Sequence, residues 1–194
     1  MSARRRSAPG GVAPLSPKRK WLAITAGTLL FLPAYWSILA GMVDGALDDA
    51  EAVSGDVGDS AALVAFGLAL IPFVFIVLAF LSEHPRAPGA VVKAMGLAVL
   101  VGIPASAFAA DAVTGLVAGM GAGGLVALRP EPDHGWRPRA VGVIAAAAYT
   151  FFLVRGAGVL GLMSAPVLPL TALGLADHYV EWKRTTPVRA ASST

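Results

Sequence analysis

The chain has no cysteine. That absence excludes disulfide bridges, thiolate nucleophiles and cysteine-ligated metal sites together. Charge is scarce as well: only 14% of the 194 residues are Asp, Glu, Lys or Arg, against roughly 25% in soluble domains. A water-facing surface cannot be assembled from that inventory. Alternating strands of ~10 residues are also missing, which excludes a transmembrane barrel. What the sequence does hold is 56% apolar residues and long runs without an ionisable side chain, such as residues 21–43 and 61–81. Each is long enough to cross the ~30 Å hydrocarbon layer at ~1.5 Å per residue. In lipid the backbone polar groups of such a run must bond within the run, so it is helical. The fold class is therefore all-α, a polytopic membrane helix bundle.

The number of spans follows from length. Residues 90–128 and 139–177 form two apolar regions of 39 residues each. As one straight helix, either region would run ~58 Å, nearly twice the bilayer core. Asp111 divides the first region into 90–110 and 112–128. Arg155, followed by Gly156, Ala157 and Gly158, divides the second into 139–155 and 157–177. With 21–43 and 61–81 this predicts six transmembrane helices. The alternative of four longer spans leaves Asp111 and Arg155 near mid-membrane, where an ionised side chain costs at least ~2.5 kcal/mol. Positive charge favours six spans with both termini cytoplasmic, because fourteen of the fifteen Lys and Arg residues then lie inside and only Arg155 lies outside.

Residues 1–20 carry Arg4, Arg5, Arg6, Lys18, Arg19 and Lys20 among Pro, Ser, Gly and Ala, and read as a disordered basic cytoplasmic tail. The 23-residue apolar run behind them exceeds the ~7 to 15 residues of a signal-peptide core, so it reads as a retained span. Residues 21–177 form the six-helix domain and 178–194 a cytoplasmic C-terminal tail. Residues 44–60, with Asp44, Asp48, Asp49, Glu51, Asp56 and Asp59, read as a solvated acidic loop. Their spacing matches no calcium loop.

Three groups of residues carry the candidate functional features. Gly115, Gly119 and Gly123 recur every fourth residue, which puts them on one helix face and predicts close packing against another helix, in the same chain or a second copy. Pro33, Pro72, Pro104, Pro166 and Pro169 fall within predicted spans, where each can kink a helix and free a carbonyl for a solute. Asp111 and Arg155 are the only ionisable residues at the two outer hairpin tips; they are the candidate binding residues, and opposite charge allows them to pair. His84, His134 and His178 all lie outside the spans, which argues against haem ligation in the bilayer and against a Ser/His protease using Ser37, Ser106 or Ser164. No cofactor and no metal is expected.

The net charge is +3, yet the basic residues flank membrane spans, which accounts for them without nucleic acid. The expected partners are the lipid bilayer, other membrane proteins or a second copy of the chain. No motif carries a reaction. The leading expectation is a non-enzymatic accessory or structural partner in a membrane complex. In size and span number the chain resembles the substrate-binding subunits of energy-coupling-factor vitamin transporters, which implies a small-solute binding or transport subunit as the alternative. A membrane-embedded enzyme stands third. Heavy use of Ala, Gly and Val with arginine-rich tails points to a GC-rich bacterial genome and hence to the cell membrane.

Overall fold

The computed structural model describes residues 17–51, 57–128, 148, 152 and 155–175, and all regular structure among them is helical. The elements are α1 (Pro17–Glu51), α2 (Val57–Leu81), α3 (Ala87–Ala109), α4 (Ala112–Leu128), α5 (Gly158–Ser164) and α6 (Leu168–Leu175). Among the described residues, three stretches are long and apolar enough to cross a bilayer, Lys18–Ala46, Asp59–Leu81 and Ala87–Ala109. The bundle is that of a helical membrane protein. The expected span 139–155 and the positions of His134 and His178 fall outside the described residues, save 148, 152 and 155 of that span.

Several boundaries differ from expectation: α2 starts at Val57 rather than 61 and α3 at Ala87 rather than 90, and α1 departs at both ends. α1 begins at Pro17, ahead of the expected end of the basic tail at residue 20. Proline is tolerated there because a first-turn amide has no intrahelical acceptor to lose. At its other end α1 runs through Asp44 to Glu51, so the first half of the expected acidic loop is helix. Ala46, Leu47, Ala50 and Glu51 are strong helix formers, and carboxylates are solvated on a helix as readily as on a loop.

α1 and α2 form an antiparallel hairpin in which Phe31, Ala34 and Tyr35 of α1 share a buried cluster with Val74, Phe75, Leu78 and Ala79 of α2, and Ile38, next on the same face, lies against Gly67. A side chain at Gly67 would lie 2.6 Å from the Ala34 carbonyl oxygen, so the two backbones pass almost in contact. At one end of this hairpin Arg19 pairs with Glu83, and the buried Ser82 hydroxyl donates to the Ala127 carbonyl oxygen at 3.0 Å. The start of α1, the end of α2 and the end of α4 therefore share one end of the bundle.

The chain reverses at Asp111. Ala110 adopts the left-handed conformation (φ 50, ψ 40) and closes α3, and α4 starts two residues later. A single span through 90–128 is thereby excluded. α4 returns antiparallel to α3 and lies in the interior, every residue buried except Ala112, Leu116 and Val126. α6 completes the core, with Leu170 set against Gly27 of α1 and Gly124 of α4.

The expected continuous span 157–177 is broken. α5 and α6 meet at 77° across residues 165–167. Pro166 withholds the amide that the Leu162 carbonyl would accept in a continuous helix, and Pro169 does the same to Ala165. Two adjacent turns thus lose a bond each. Pro33, Pro72 and Pro104 are each the one proline in the interior of their helices, which continue through them.

Candidate functional site

Asp111 stands immediately before α4 and acts as its cap. One carboxylate oxygen accepts the Val113 amide at 3.0 Å, and the other accepts the Thr114 amide at 3.2 Å and the Thr114 hydroxyl in a short bond. Those amides belong to the first turn of α4, which has no intrahelical acceptor for them, and the negative charge faces the positive end of the helix dipole. Thr114 is fully buried, so its hydroxyl depends on this bond. Arg155 is exposed, three residues ahead of α5, and no ion pair joins it to Asp111. The structure gives Asp111 a local role in the hairpin tip and shows no such role for Arg155.

Tyr35, in the middle of α1, is nearly fully buried and donates its hydroxyl to the Leu162 carbonyl oxygen at 2.8 Å. This is the carbonyl that Pro166 leaves without its helical donor. The tyrosine thus supplies from α1 the hydrogen bond that the break in α5–α6 removes, and in an apolar interior an unmade bond of this kind is costly. Phe31 and Trp36 hold the ring in edge-to-face contacts at centroid distances of 6.0 and 5.5 Å. The middle of α1 and the broken helix are thus joined by one polar contact, separate from the cap at the α3–α4 tip.

The three candidate glycines line the α3–α4 interface. A side chain at Gly115 would lie 2.5 Å from the Gly102 carbonyl oxygen, at Gly119 2.5 Å from that of Ala98, and at Gly123 2.8 Å from that of Ala94. Ala94, Ala98, Gly102 and Ser106 form a row with the same four-residue period on α3, so two small-residue rows run antiparallel with backbone against backbone. Gly123 also faces the ring of Phe75 on α2. Among the described residues no three His, Asp or Glu side chains gather as a metal site.

Compared with known proteins, the chain matches no family model, no curated protein and no solved structure. The residues that complete these two contacts, Tyr35 and Thr114, are not marked by any motif. The signal that points to Leu162 is Pro166 four residues later, which identifies the carbonyl left without a donor; nothing local names the tyrosine that bonds to it.

Proposed function

We propose that the chain is a six-span protein of the cell membrane, with both termini cytoplasmic, that serves as a non-enzymatic accessory or structural partner in a membrane complex. One observation carries this reading. Polar groups inside the bundle cap or join helices, save the buried Thr28 hydroxyl, which has no hydrogen-bond partner among the described residues: Asp111 and Thr114 cap α4, Tyr35 joins α1 to α5, and Ser82 joins α2 to α4. The interior between α3 and α4 is filled by backbone contact. Such a bundle is built to hold its shape while offering its outer surface to neighbours. The end that carries Arg19 and Arg86 also holds the close of α4, which supports a cytoplasmic N-terminus by the positive-inside rule.

Single cysteines in this naturally cysteine-free chain test the topology. Cysteines at His84 and His134 are expected to resist an impermeant thiol reagent in intact cells, and one at Ala110 to react from outside. External labelling at 134 would overturn six spans. For the role itself, native nanodiscs drawn directly from the membrane are expected to hold the chain with another protein in fixed stoichiometry. Recovery of the chain alone, at the mass of a monomer, would overturn the accessory reading.

A second reading, a small-solute binding subunit, is favoured by the broken helix α5–α6, since discontinuous helices place free carbonyls at the sites of many transporters. It requires water to reach the break. A cysteine at Ser164 should then react with a small hydrophilic thiol reagent, whereas the accessory reading expects no reaction.

A further inference from the structure

The outward face of α3 carries a sequence of chemistries that no interior contact explains. Arg86, at the helix cap, is followed by Gly89, Lys93, Gly96 and Leu100 at spacings of three and four, and all five are exposed. The face is thus the one opposite the row that packs on α4. A side chain at Gly89 or Gly96 would meet nothing within 4 Å, so the backbone there is bare. Beyond Gly96 the surface is apolar, with Leu100 70% and Ile103 65% exposed.

The two cations are exposed, with no acidic partner among the described residues. Lys93 lies two turns from Arg86, ~10 Å along the axis, with Val92 and Met95 exposed on either side of it. α3 contains no acidic residue. Glu83, the acid nearest in sequence, is engaged by Arg19, and among the described residues no ion pair reaches Arg86 or Lys93. Read from the helix start outward, the face is cationic, then bare, then apolar. A phospholipid has the complementary order: an anionic phosphodiester, a narrow glycerol ester region and hydrocarbon chains. Basic positions at the membrane surface attract anionic headgroups, and an apolar helix face receives their chains.

We propose that this face of α3 binds one anionic phospholipid, its phosphate between Arg86 and Lys93 over Gly89, its glycerol region against Gly96 and an acyl chain along Leu100 and Ile103. The proposal rests on the reading of the chain as a membrane bundle. On the topology above, the lipid belongs to the cytoplasmic leaflet.

The test uses the full chain in nanodiscs of phosphatidylcholine with a minor share of phosphatidylglycerol of the same acyl chains, and native mass spectrometry to identify retained lipid. Wild type is expected to retain phosphatidylglycerol about tenfold or more in preference to phosphatidylcholine, the scale that two cationic contacts support. Arg86→Gln with Lys93→Gln should bring the ratio to near parity. Gly96→Leu, which meets nothing in the fold, should lower total retention with both cations intact. Lys18→Gln with Lys20→Gln should leave the preference unchanged. Parity in wild type, or a preference that survives the Arg86/Lys93 pair of substitutions, overturns the site. Displacement of the lipid by inorganic phosphate would reduce it to an ion site and overturn the lipid assignment. A chain that fails to enter nanodiscs overturns the membrane reading and the site together, whereas entry without preference overturns the site alone.

Discussion

Replacing Gly119 by leucine is expected to lower the stability of the detergent-solubilised protein by about 3 kcal/mol or more, among the largest effects of any single substitution in the chain. The first added atom would lie 2.5 Å from the Ala98 carbonyl oxygen and 3.4 Å from the Gly102 α-carbon. Both are backbone atoms, which cannot rotate away as a side-chain tip can. α3 and α4 must separate, and the contacts along both small-residue rows are lost with them. Gly96→Leu, on the open face of the same hairpin, supplies the control and is expected to stay within ~1 kcal/mol of wild type, since a helical glycine is replaced where space is free. Thermal unfolding of the two variants side by side decides the matter. Equal stability would show that the α3–α4 contact is not close.

Tyr35→Phe is expected to cost ~1 to 2 kcal/mol, the range for a buried acceptor left without its donor in a membrane protein. The ring contacts with Phe31 and Trp36 survive the change, so the loss isolates the hydroxyl and its bond to Leu162. Pro166→Ala restores an amide four residues beyond Leu162 and should offset part of that loss. The double variant is therefore expected to be less destabilised than the sum of the two single changes. Strict additivity would show that the tyrosine does not substitute for the amide missing at Pro166.

The parts of the fold legible in the sequence are those governed by length and by the cost of charge in lipid. Residues 90–128 are too long for one crossing and contain one acid, and the chain turns at that acid. The Gly115, Gly119 and Gly123 stripe is visible by its period alone. Its counterpart, Ala94, Ala98, Gly102 and Ser106, has the same period but is recognised only once the helices lie antiparallel. The end of α1 was not legible, because a segment rich in Ala and Asp is equally soluble as helix or loop. The prolines announce kinks without saying which one becomes a break. The spacing of Pro166 and Pro169 decides it, by removing two neighbouring acceptors' donors. The bond from Tyr35 to Leu162 joins residues 127 positions apart. No local pattern encodes a contact of that range, whereas the partners of Asp111, Val113 and Thr114, lie two and three residues on, at the spacing of a helix cap.

The burial of α4 bears on how the protein enters its membrane. A stretch of 17 residues containing Gly115, Gly119, Gly121, Gly123 and Gly124 measures ~25 Å, short of the ~30 Å it would have to bridge by itself. Released alone from the insertion machinery, it would also expose bare backbone along much of its circumference. α3, made just before it, is long and apolar enough to stand in lipid unaided, and it already presents the matching row of small residues. Synthesis from the N-terminus thus delivers the self-sufficient helix first and the dependent one second, so that α4 finds its matching row already made and need not face hydrocarbon as a lone segment.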